Sequence, residues 1–147
     1  MKKILWVLAA LGACLVAAAA LSADPAGEKA REEAAGKAAR EAAKSWLGIV
    51  DSGRYADSWT QASSLFRKQV SAEQWESAVR SARGPARLLA RNFKSARYSL
   101  TLPGAPDGEY VVLQYNGSFE DKKEALETVV TMKEKEGAWR VAGYFIK

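Results

Sequence analysis

The hydrophobic period of this chain changes once, shortly after Phe93, and that change limits its possible folds more than any other feature. Before it, apolar residues recur every three or four positions, the spacing of a helix face. After it come four runs rich in Val, Thr, Tyr and Phe, which read as strands: Ser95 to Leu102, Tyr110 to Phe119, Ala125 to Lys135 and Trp139 to Ile146. The links between them are short and carry turn residues, as in Pro103-Gly104-Ala105-Pro106-Asp107-Gly108, Glu120 to Glu124 and Glu136-Gly137. Links this short join antiparallel neighbours, so the runs form a four-stranded meander. Helices first and hairpins afterwards predict an α+β domain with the helices packed on one face of a curved antiparallel sheet. Asn116-Gly117 lies too close to Tyr115 and Phe119 to separate two strands, and it is expected to be a bulge that bends one long strand.

The helical half divides into three. Asp24-Pro25 supplies an N-cap and a proline at the first helical position. From there to Val50, small or apolar residues at 35, 39, 42, 43, 46, 47 and 50 make one stripe, with Glu33, Lys37 and Glu41 spaced four apart on another face. Residues 24–39 are an alanine-rich lead-in that buries little, and 40–147 are the domain proper. Gly53 suits the left-handed position that ends such a helix. A second helix is expected over Tyr55 to Ser63. A third begins at the capping box Ser71-Ala72-Glu73-Gln74, with Trp75, Val79, Ala82, Ala86, Leu89 and Phe93 along one stripe. Gly84-Pro85 interrupts that stripe, so a break or kink is expected there.

Lys2 and Lys3, the apolar run Ile4 to Leu21 and the small residues Ala18-Ala19-Ala20 and Ser22-Ala23 read as a secretory signal peptide over residues 1–23. That places the protein in the periplasm or outside the cell. An uncleaved run of this length is the competing reading, a membrane anchor. A third reading takes Leu11-Gly12-Ala13-Cys14 as a lipobox with Cys14 lipidated. Contact with a membrane is expected only under the last two readings. Loss of Lys2 and Lys3 with the leader lowers the formal net charge from +5 to +3.

The chain has no histidine, and its one cysteine is Cys14. Ser-His-Asp and Cys-His chemistry are therefore excluded. No calcium-loop spacing and no phosphate-binding glycine loop occurs, so no metal and no cofactor are expected. Nucleic acid is not an expected partner of an exported chain that interleaves few aromatics with its charges.

Three runs resemble an exported bacterial group, domain-of-unknown-function family 4019. They are Ser45-Trp46-Leu47 through Gly53-Arg54-Tyr55-Ala56-Asp57-Ser58-Trp59, then Leu102 to Tyr110, then Glu127-Thr128-Val129 through Trp139 to Lys147. The likeness spans about residues 40–147. It implies export and a nuclear transport factor 2-like (cystatin-like) fold, in which a cone-shaped cavity between helices and sheet is common. It carries over no catalytic residue.

Within such a cavity Glu127 is the candidate base, because it shares a strand face with Val129 and Thr131, and burial would raise its pKa. The competing reading pairs Glu127 with Arg140 on the neighbouring strand. Tyr55, Trp59 and Tyr115 are the other pocket candidates, weighed against a role in a plain aromatic core. Arg80, Arg83, Arg87, Arg91 and Lys94 would line one side of an unbroken helix and meet an anionic surface, weighed against a solvated face. Two functions remain. One is a non-catalytic module that binds a small ligand or a periplasmic protein, with a homodimer through the sheet face as a further option. The other is a small-molecule enzyme using a buried carboxylate and tyrosine.

Overall fold

The structure is a computed structural model and describes residues 24–147. The signal peptide, its cleavage near Ala23 and the lipobox at Cys14 lie outside the described residues.

Helix α1 runs from Pro25 to Asp51. Asp24 caps it by accepting from the amide of Ala26, with proline next in line. Its first turns are exposed. Burial starts at Ala35, Ala39 and Ala43, whose small side chains let the helix lie close to the sheet, and continues through Trp46, Leu47, Ile49 and Val50. Gly53, at φ 74°, ends the helix in the left-handed conformation that its sequence position foretold.

Helix α2 covers Tyr55–Gln61 and is followed by α3, Ser64–Gln69, a helix the sequence reading did not expect. Six residues are too few to show a helical period. What starts α3 is Ser63, which accepts from the amide of Phe66, while the carboxylate of Glu134 takes the amide and hydroxyl of Ser64. Helix α4, Ala72–Arg83, carries the expected capping box between Ser71 and Gln74.

The expected break at Gly84-Pro85 occurs, and the apolar stripe does not resume as helix through Leu89 and Phe93. Gly84 stops α4 at φ 59°, Pro85 cannot donate to a further turn, and strand β1 occupies Leu88–Ser99. Strands β2 (Tyr110–Phe119), β3 (Ala125–Lys133) and β4 (Trp139–Ile146) follow the expected bounds closely. All pairs are antiparallel, in the order β1-β2-β3-β4.

Asn116-Gly117 is not a bulge. Asn116 pairs in step with Asn92 and Leu126, and Gly117 with Arg91 and Ala125. The extra residues stand instead at Leu89 and Lys94 in β1 and at Ala142 in β4, where the register slips by one.

One sheet face meets the helices. Val111, Leu113 and Tyr115 of β2 alternate inward with Val129 and Thr131 of β3. Trp46 and Trp75 pack tilted at 5.5 Å and both contact Tyr144 of β4. Buried Ser58 serves the two indoles. Its carbonyl accepts from Trp46 at 2.7 Å, and its hydroxyl accepts from Trp75 at 2.9 Å and donates to the carbonyl of Tyr55. Cutting either tryptophan back to alanine costs about 3–5 kcal/mol.

Candidate functional site

Glu127 sits near the start of β3 with its side chain fully buried. A lone carboxylate there would be costly, and the fold surrounds it with donors. Arg91 of β1 forks onto it, Nε to Oε2 and Nη2 to Oε1 at 3.0 Å. The Tyr144 hydroxyl of β4 donates to Oε1 at 2.8 Å, and Arg83 of α4 lies 3.6 Å from the same oxygen. Asp51, at the end of α1, closes the cluster: Arg83 reaches it at 2.5 Å and Arg91 at 2.6 Å.

Five elements thus meet at two carboxylates and two guanidiniums, and the formal charges cancel. Each arginine bridges both acids, so neither acid can leave without stranding a buried cation. Burial falls off from Glu127 (0 % of the side chain exposed) through Arg83 (6 %) and Arg91 (13 %) to Asp51 (25 %).

The ionisation of the cluster follows from this layout. Burial alone would raise the pKa of Asp51, but hydrogen bonds and charge from Arg91 and Arg83 outweigh it and hold the carboxyl below its ordinary value. Tyr144 moves the other way. Burial and then the charge of Glu127 drive its hydroxyl well above the usual phenol value. Burial would lower the pKa of Arg91, yet its two carboxylate partners keep it a cation more firmly than water does. Among the described residues, the Nε of Arg83 is the one buried side-chain nitrogen or oxygen without a partner.

The clustered residues come from two separate sequence readings. Glu127 was a pocket candidate, while Arg83 and Arg91 belonged to the supposed basic stripe. That stripe does not exist, because α4 ends at Arg83. Arg80 pairs with Glu76 and lies over Tyr55, Arg87 pairs with Glu120, and Lys94 sits exposed on β1. The expected Glu127–Arg140 pair is also absent. In the register Glu127 lies opposite Ile146, while Arg140 lies opposite Met132 and bonds Glu136 at 3.2 Å. Of the other pocket candidates, Trp59 donates to the carbonyl of Val70, Tyr55 is half-buried, and Tyr115 packs edge-on against Phe93 at 5.8 Å. None of these three touches the carboxylate of Glu127 by hydrogen bond.

A model of a family of proteins of unknown function, DUF4019, matches residues 42–144, which include every member of this cluster from Asp51 to Tyr144. The chain belongs to the DUF4019 family. No curated protein and no solved structure matches it. The DUF4019 match begins where α1 becomes steadily buried and leaves out its exposed first turns.

Sequence reasoning missed Asp51, and read Tyr144 as part of the strand Trp139 to Ile146. Asp51 reads as an ordinary helix-end residue before Ser52-Gly53. Nothing local shows that two arginines more than thirty positions away converge on it.

Smaller clefts reach Tyr144 and Arg83 of the cluster, of about 270 and 140 Å³, while two larger grooves lie on either side of the edge strand β1. One groove, of about 590 Å³, runs between α1 and the inner face of β1, over Phe93, Ala96, Tyr98 and Val111, with Glu32, Glu33, Lys37, Arg40 and Glu41 on the helix side. Arg40 stacks over the Phe93 ring at 3.7 Å. The other, of about 540 Å³, lies across the outer face at Asn92, Lys94, Asn116 and Lys123.

Proposed function

We propose that this chain is an exported, non-catalytic binding module on a nuclear transport factor 2-like scaffold, and that its buried acid is structural. The observation that carries this reading is the enclosure of Glu127. Its two oxygens accept from Arg91 and Tyr144 and face Arg83, and its side chain has no exposed surface. A general base needs a lone pair within reach of a substrate proton. Here three of about four acceptor positions are filled, no part of the side chain is exposed, and neither of the two larger grooves is lined by the acid. Export rests on the leader-like first 23 residues, and a mature chain beginning near Asp24 in the periplasmic fraction is the matching outcome.

Chemical unfolding of Glu127→Gln separates this reading from the enzyme reading. A structural acid makes the variant less stable by about 3 kcal/mol, because two arginines then share one carboxylate. A catalytic acid is held at a cost to stability, so its removal would leave the midpoint unchanged or raise it, and that result would overturn the proposal.

A further inference from the structure

Strand β1 is one edge of the sheet, twelve residues long, and no described residue pairs with its outer side. An edge of this length presents unpaired amides and carbonyls, the template on which another extended chain can add. Its side chains are sorted by the bulge at Lys94. Before the bulge, Ala90, Asn92 and Lys94 line the outer groove and Phe93 faces the α1 groove. After it, Ala96 and Tyr98 face α1, so Ser95 and Arg97 face outward beside Gln114 and Val112. The two faces differ in chemistry. The α1 side has an apolar floor of Phe93, Ala96 and Val111, with Phe93 40 % exposed. The outer groove carries Lys94 and Lys123 with Glu124 beside them, Arg97 lies further along the same face, and β1 itself contains no acidic residue.

Resting on the binding reading above, we infer that β1 is a docking strand for an extended segment of a partner protein in which apolar and acidic residues alternate. Main-chain hydrogen bonds along the edge supply the attachment. Apolar side chains enter the α1 groove, and acidic ones lie over Lys94, Arg97 and Lys123 on the outer face. Charge selects this occupant over a second copy of the chain, because pairing β1 with itself would set Lys94 and Arg97 against their own counterparts. The bulges at Leu89 and Lys94 break the edge into two short runs, which guards it against indiscriminate sheet extension while leaving the run from Ser95 to Ser99 straight.

The test uses the whole protein and synthetic peptides of about ten residues, a common strand length. One alternates valine and glutamate, one alternates valine and lysine, and one is the valine–glutamate peptide with alternate backbone nitrogens methylated. Amide exchange over residues 90–99 and titration by fluorescence anisotropy read the result. The expected outcome is protection of β1 amides by the valine–glutamate peptide alone. Binding should weaken at least tenfold on methylation, and at least tenfold in Lys94→Glu/Arg97→Glu, whose side chains are exposed. Equal binding of acidic and basic peptides, indifference to methylation, no binding at all, or a dimer held through β1 would each overturn the inference. The stability of Glu127→Gln does not enter this test, so failure here and failure of the structural-acid reading are told apart.

Discussion

Arg91 reaches Glu127 across an intervening strand, and it does so over Gly117. The register sets Arg91 opposite Gly117 and Glu127 opposite Tyr115, so the guanidinium reaches the acid on the diagonal, past a residue with no side chain. A Cβ at Gly117 would meet Phe119 at 3.4 Å and the Glu127 carboxyl carbon at 3.8 Å, ordinary contacts. Gly117→Ala is therefore expected to fold with nearly unchanged stability. Gly117→Val pushes branched methyls into the path of Arg91 and should cost about 1–3 kcal/mol in urea unfolding. Equal stability of the two variants would show that Arg91 does not need that corridor.

The cluster makes stability depend on pH at both ends. Asp51 has a folded-state pKa below its ordinary 3.8, so its contribution is complete above that value and is lost as pH falls through the folded one. Tyr144 is raised above its ordinary 10.0, so its contribution is complete below pH 10 and is lost as pH rises further. Urea midpoints measured across pH should be level near neutrality and fall on both sides. In Asp51→Asn the acid-side fall should shrink, and in Tyr144→Phe the alkaline fall should shrink. At neutral pH, Tyr144→Phe should also lose about 1.5–3 kcal/mol with its hydrogen bond to a charged acceptor.

Two glycines are predicted to respond in opposite directions to alanine. Gly84 turns the chain from α4 into β1 at φ 59° and ψ −162°, which a side chain resists, so Gly84→Ala should cost about 1–3 kcal/mol. Gly36 lies inside α1 with open space around its Cα, and Gly36→Ala should gain about 0.5–1 kcal/mol. Differential scanning calorimetry of the two variants checks both signs.

Ser58 holds the tryptophan pair in place. Ser58→Ala removes the acceptor for the Trp75 indole in a fully buried setting, and a loss of about 1–3 kcal/mol is expected. A near-ultraviolet circular dichroism change should accompany it. An unchanged tryptophan signal would mean that packing alone orients the ring.

The order of elements was legible because it is written locally. The capping box at Ser71, the proline at 25, the left-handed Gly53 and the bounds of β2 and β4 all depend on neighbours within a few residues. The boundary at β1 was misread because Ala86, Leu89 and Phe93 keep a helical spacing that Gly84-Pro85 had already cut off, and Leu89 and Phe93 turn out exposed. Glu127 was recognisable as an inward acid from its alternation with Val129 and Thr131. Its partners were not, because Arg91 and Asp51 reach the cluster through register and helix placement, which no local pattern encodes.

A double-mutant cycle between Arg91 and Glu127 tests most directly whether the acid is bound into the fold. Unfolding free energies of the parent, Arg91→Met, Glu127→Gln and the double variant give the coupling between the two sites. The account predicts a favourable coupling of about 2 kcal/mol or more. A coupling below about 0.5 kcal/mol, with each variant losing stability independently, would contradict it.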